Sequence, residues 1–531
     1  MGGYVADDMR RPPVVTLTCA ALLCACAPDE SGLEDGFDSV DTTTTTAGSA
    51  GTAEAGESDS DGEPAFEPVP ARGVRLTGVT ANHGINVSIA NGTAWAGPNE
   101  REGRLVSGRD TLIRVYHELD PDYVEHEVEA RLEITLPGGE VQNYTSRKTL
   151  VTDTNDNYLE GGLWFAIPAE NGGTAPGTTF QVSLWDVGPG GEGQTQHPNV
   201  APADGPQQIG FEAIPMEINV HYIPFTWTSN GVTPDLTPGG KIEDVNEEIF
   251  QMLPVQAVNP TYGETRQWSG SSNVCQMLET MAQIWASEGA PQSTYYIGML
   301  DTGANSGVMG CAWLNANVNA DVWVENNIST TATSTVHEIG HNQGLNHVEC
   351  NDMGNPSAGN DPSYPDHPDG RTLNTGFGIR NFLMFPGDTT IDYMSYCNKR
   401  WISPWTWAKI WPRIQSFTEA SPLVTPDPVM HFAMYPDGST SWFTSLAYLD
   451  SEREPDAARI EFELDGEVIA RELAQVDVLS DDETVWVTVR MPEGDELDFD
   501  TVRYIDLATD ETVEARHDEV KFYTQLDLGP Q

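Results

Sequence analysis

Between residues 67 and 210, apolar and polar positions alternate in short runs broken by Gly, Pro and Asn. Thr111–His117 (TLIRVYH), Ala130–Leu136 (ARLEITL) and Phe180–Trp185 (FQVSLW) each put every second side chain on one face. A period of two with turn residues at this spacing predicts an antiparallel β-sandwich over 67–214. The texture changes at Met216, where MEINVHYIP reads as a buried strand. Ile242, Val245, Ile249 and Leu253 then recur at helical spacing, as do Leu278, Met281 and Trp285, predicting amphipathic helices over 242–253 and 274–287. These positions read as core, not as a ligand-binding stripe. Tyr295–Leu300, Cys311–Leu314 and Asp321–Val324 read as strands. Ser403-Pro404 starts another helix, a capping serine followed by proline at the first helical position, with Ile410, Ile414 and Phe417 on its buried face. Pro412 is expected to kink or shorten it. Alternation returns in Ala458–Leu464 and Thr484–Val489, predicting a second sandwich over 421–531. Its role reads equally as an accessory binding domain or a stability cap.

Charge narrows the class of partner. The 531 residues hold 81 Asp+Glu against 26 Lys+Arg, a net charge of −55 that repels nucleic acid. Such a surface suits solubility outside the cell or adaptation to salt water. Arg10 and Arg11 precede an apolar run, Val14–Ala25, too short to span a bilayer. The run ends in Leu23-Cys24-Ala25-Cys26, which resembles the bacterial lipobox; the resemblance implies cleavage before Cys26 and lipidation of its thiol. An ordinary secretory signal cut nearby is the alternative, and both export the chain. Asp7 and Asp8 are unusual at the head of a signal, which makes Met9 an alternative start. Residues 1–26 are therefore expected to be a signal. Residues 27–66, almost all Asp, Glu, Ser, Thr, Gly and Ala, lack the apolar residues for a core and read as a disordered tether. The expected place of work is an outer-membrane or cell surface, touching membrane only through that lipid anchor.

The stretch Thr335–His347, TVHEIGHNQGLNH, carries the chemistry. His337 and His341 fall one turn apart on a helix face if Ser334 or a nearby threonine caps the helix, with Val336 and Ile339 toward the core. Gly344 supplies the left-handed conformation that ends a helix and lets His347 return to the same point. Three converging imidazoles are the ligand set of one catalytic Zn2+ with a fourth position open to water. Glu338, beside a ligand but pointing elsewhere, suits a general base. A lone HExxH is a weak signal; the full HExxHxxGxxH fixes five positions. A structural Ca2+ has thinner support. Asp153, Asn155 and Asn157 imitate the start of a calcium loop, but the glycine and distal glutamate are missing, so the segment reads as a turn.

Downstream lies Asp392–Trp407, DYMSYCNKRWISPWTW. The extended histidine motif followed by Met-x-Tyr resembles the metzincin clan of zinc endopeptidases, and this stretch is similar to a group of bacterial secreted metzincins. The resemblance covers 215–420 and implies an α/β (α+β) catalytic domain flanked by the two all-β sandwiches. It implies zinc ligation by His337, His341 and His347, a general base at Glu338, a turn glycine at Gly344 and the Met-turn methionine at Met394. Tyr396 takes the place of a tyrosine that stabilises the oxyanion, or is simply core. One strand beside the cleft would pair with an extended peptide. Residues 351–388, rich in Gly, Pro, Asn and Asp, are a candidate lower lip for that cleft. Four cysteines remain past the signal, and an even number in an exported chain indicates two disulfides with three connectivities open. We expect Cys350–Cys397 and Cys275–Cys311, since Cys350 closely follows the histidines and Cys397 the Met-turn. Cysteine zinc ligation lacks its C-x-x-C spacing. The expected partners are protein or peptide substrates, glycoproteins among them. A zinc hydrolase of non-peptide bonds and a surface adhesin with a degenerate protease domain are the competing readings; the intact Glu338 and histidines count against the second.

Overall fold

The computed structural model describes residues 66–522 apart from 292, 304–307, 352–359, 420–426, 436–437, 448, 450–457, 479–483 and 493–497. The expected signal, Cys26 and all but the last tether residue lie outside the described residues. The alternating segments form two sheets. One runs Val69–Pro70, Thr179–Asp186, Glu127–Thr135, Val141–Thr149; the other runs Ala94–Trp95, Asn86–Asn91, Val74–Asn82, Thr111–Leu119, Leu163–Ile167. Their pairings are antiparallel. Along Thr179–Asp186 burial alternates residue by residue, the signature of a strand with one face on a core.

A mixed sheet follows, in the order Ala257–Tyr262, Glu217–Trp227, Thr294–Leu300, Val318–Val322, Gly310–Ala312. The first four strands are parallel, and Gly310–Ala312 closes one edge antiparallel to Val318–Val322. Four helices cover it: α1 (Ile242–Met252), α2 (Leu278–Ser287), α3 (Ile328–Asn342) and α4 (Pro404–Glu419). Period two divides them between the faces. Tyr295, Ile297 and Met299 join the core with α1, α3 and α4, whereas Tyr296 and Leu300 pack with α2.

Two helix ends differ from the sequence expectation. α3 begins at Ile328, so Ser334 and Thr335 are interior and do not cap it. The threonine-rich lead is helical because its hydroxyls find backbone partners: buried Thr331 donates to Val322 O and accepts from the Val324 N–H. α4 starts as expected, with Ser403 Oγ accepting from Thr406 N–H at 3.1 Å, but it runs through Pro412 to Glu419. Burial of Ile410, Trp411, Ile414 and Phe417 around that proline offsets the lost backbone bond.

The first sandwich shares one apolar core with α1, α3 and α4. Arg109 joins them. Fully buried, its guanidinium donates to Leu253 O and Val255 O at 2.7 Å and to Gln251 O at 2.9 Å, supplying donors to carbonyls at the end of α1. Trp401 Nε1 donates to Gly84 O and Trp407 Nε1 to Arg104 O. Of the described part of 351–388, Asn360 and Asp361 lie against His347, whose carbonyl accepts from the Asp361 N–H, and the later residues are held on the same sandwich. Asn374 exchanges hydrogen bonds with Asn86 in both directions, and Phe377 and Ile379 pack on Leu112. Two further sheets make the second sandwich: one holds Asp427–Met434, Thr440–Ala447 and Val485–Arg490, the other Ala458–Leu464 and Thr501–Asp506. Trp313, just past the edge strand, stacks on Phe443 at 4.3 Å.

Candidate metal centre

α3 carries His337 and His341 on its buried side with Glu338 between them, while Val336 and Ile339 enter the core. At the end of α3 the Gly344 N–H donates to His341 O, and Gly344 adopts φ 89°. A side chain there would be strained and would meet Asn315 Oδ1 at 2.2 Å, so this turn requires glycine. The chain doubles back and brings His347 to the helix. His347 Nε2 lies 3.1 Å from both His337 Nε2 and His341 Nε2.

Two carbonyls decide which nitrogens face the centre. His337 Nδ1–H donates to Tyr393 O at 2.9 Å and His341 Nδ1–H to Leu345 O at 2.8 Å. A carbonyl can only accept, so each ring keeps its Nε2 lone pair for the shared point. Burial pushes all three imidazoles down, His341 to about 4 and the other two well below the ordinary histidine range. They are therefore neutral at pH 7, the form that ligates metal. Three neutral imidazoles with ligand atoms all within 4.8 Å of one another suit Zn2+, and the Tyr393 and Leu345 carbonyls already orient two of them.

The floor comes from the Met-turn. Met394 is fully buried beneath α3, and a side chain on Gly340 would meet its Sδ at 2.3 Å, so Gly340 is what permits the approach. Asp392 fixes the turn. Its Oδ1 accepts from Met394 N–H at 3.0 Å; its Oδ2 accepts from Thr406 Oγ1–H at 2.6 Å and Ser403 N–H at 3.2 Å. Replacing Asp392 with alanine strands these buried donors at about 1–3 kcal/mol each. We expect Asp392→Ala to lower the unfolding free energy by about 3–5 kcal/mol in urea titration and to weaken zinc affinity measured by competitive chelation. An unchanged midpoint and affinity would show that Asp392 does not hold the turn.

Tyr396 lies at the rim, 37% exposed, with its Oη 2.9 Å from His347 Nε2. It is thus beside the centre and not core. The two disulfides frame the site: Cys350–Cys397 ties the segment after His347 to the segment after the Met-turn, and Cys275–Cys311 ties the turn before α2 to the edge strand. A cleft of about 400 Å3 opens beside His337, Glu338 and Tyr396. Asp153, Asn155 and Asn157 form a turn, in which Asp153 accepts from Leu119 N–H and Asn155 from Asn157 N–H.

Four site residues escape a reading of spacing. Gly310 has no room for a side chain, since a Cβ would sit 2.5 Å from Glu338 Oε1 and 2.7 Å from Asp321 Oδ1. Strand backbone therefore runs directly beside the Glu338 carboxylate, with a second buried carboxylate, Asp321, at the same place. Asp392 and Arg400 complete the set. Gly310 and Asp321 belong to no local motif, and Asp392 and Arg400 lie in the Asp392–Trp407 stretch, where spacing alone gives neither of them a role.

Residues 247–348, from α1 to just past His347, match the family model described as metallo-peptidase family M12B, reprolysin-like, which belongs to the metzincin clan. No curated protein matches the chain. Among solved structures, a putative beta-galactosidase from Bacteroides fragilis aligns over 85% of this chain and 73% of its own at 9% identity with a TM-score of 0.13, a likeness too slight to bear on fold or chemistry.

Proposed function

We propose that the chain is an exported zinc endopeptidase that hydrolyses proteins outside the cytoplasm, with Glu338 as general base. The reprolysin-like match supports zinc-dependent peptidase activity in general. The observation that carries the finer reading is the convergence of three Nε2 atoms at the head of a cleft that also holds the Glu338 carboxylate. Bound zinc would supply Lewis acidity, making water a nucleophile near neutral pH and drawing charge from the scissile carbonyl. Glu338 removes the attacking water's proton and returns it to the leaving amine. Among the described residues Gly310–Ala312 pairs on one side only, leaving a sheet edge on which an extended substrate adds as a strand, and the missing side chain at Gly310 lets that edge strand lie close to Glu338. Tyr396 Oη donates to the oxyanion.

Two disulfides favour an oxidising compartment, and the Leu23–Cys26 lipobox favours anchorage by lipid. No helix among the described residues is long and apolar enough to cross a membrane. The test is a substrate panel. Casein, gelatin and glycoproteins should be cut by the zinc-loaded protein and spared once zinc is chelated. Turnover of simple esters with every protein left intact would replace this reading with a non-peptide hydrolase.

A further inference from the structure

The cleft is lopsided. It is lined by His337 and Glu338, by Ser334 and Thr330 further back along α3, by Gly310 of the edge strand and by Arg400; His341 and His347 do not line it. It thus extends from the metal centre toward the first half of α3, on the Glu338 side. That side has a chemical identity. If Glu338 hands its proton to the departing amine, the residue that keeps that amine must lie beside Glu338, and its side chain enters this cleft.

Arg400 is the cation lining it. The guanidinium is partly buried and loosely held: Nη2 donates to Thr333 Oγ1 at 3.2 Å and Nη1 to Ser395 O at 3.4 Å. Among the described residues it forms no ion pair, whereas Arg72, Arg131, Arg147, Arg371 and Arg503 each sit on a carboxylate; Arg101 and Arg109 form none either, but both spend their guanidinium on backbone carbonyls away from the cleft. In a chain with 81 acidic residues for 26 basic ones, an arginine that lines a cleft and makes no ion pair among the described residues is placed for an incoming carboxylate. Burial lowers its pKa while the fields of Glu248 and Glu338 raise it, and an arginine remains charged under those influences. Its planar fork matches a carboxylate in bidentate fashion.

We propose that Arg400 lines the subsite for the side chain on the amine side of the scissile bond and selects aspartate or glutamate there. This rests on the peptidase reading above, and the test separates the two. The zinc-loaded full chain is incubated with a proteome-derived peptide library, and the new amino termini are sequenced. New termini should begin with Asp or Glu, and matched peptides with Asp against Asn at that position should differ about 10- to 100-fold in kcat/KM. Arg400→Lys should keep a weaker acidic preference; Arg400→Glu should shift new termini toward Lys and Arg. Cleavage without acidic enrichment there, or with the enrichment on the acyl side, overturns the inference and leaves the peptidase intact. No cleavage of any peptide with zinc bound overturns both. If Arg400→Glu fails to fold, the wild-type profile and the Asp/Asn pair decide alone.

Discussion

Glu338→Ala should retain zinc and lose peptide hydrolysis by about 100- to 10,000-fold in kcat, the range that a positioned general base supplies. The separation follows from geometry. The three Nε2 atoms that converge belong to other residues, and the carbonyl partners of His337 and His341 come from Tyr393 and Leu345. Glu338 makes no part of that cage; its carboxylate lies at the cleft beside Gly310. Metal content by atomic absorption should stay at the wild-type ratio while turnover of a quenched peptide collapses. Glu338→Gln, which keeps the shape and removes the basicity, should behave alike. Full activity in either variant would remove Glu338 from the mechanism.

His341→Gln should lose both metal and activity. His341 sits at the last turn of α3 and gives one of three ligand atoms, so its loss leaves two imidazoles for the ion. A ligand that binds only the folded state at 1,000 times its dissociation constant adds about 4 kcal/mol of stability. The wild-type melting temperature should therefore rise on zinc addition, and that of His341→Gln should not. Peptide turnover should fall at least as far as in Glu338→Ala. A variant that still melts higher with zinc would indicate that the three histidines do not form the cage.

The centre was legible where its causes are local. Offsets of four and six residues place His337, His341 and His347, provided a glycine makes the turn, and Gly344 does so at φ 89°. The period-two and helical runs placed strands and helices for the same reason, since each pattern is set by neighbours in sequence. What escaped depends on distant contacts. No pattern singles out Arg109, which is buried on carbonyls about 140 residues away, where the first sandwich joins α1. Gly310 reads as an ordinary glycine until Glu338 is set against it. Residues 351–388 show no period because Asn374 and Phe377 answer to Asn86 and Gly84 of the sandwich, and the strand pair the segment does form, Gly376–Phe377 with Met384–Phe385, is too short to set one. The Thr/Ser run before the motif resembles a cap in sequence; Thr331's backbone partners make it helix.

The most direct measurement follows metal and turnover on one sample of the full chain. The protein as purified should carry one zinc per chain and cleave peptide. Dialysis against a chelator should remove both together, and one equivalent of zinc should restore both, with activity tracking occupancy. Peptide cleavage that persists at full rate after the zinc is gone would contradict the account.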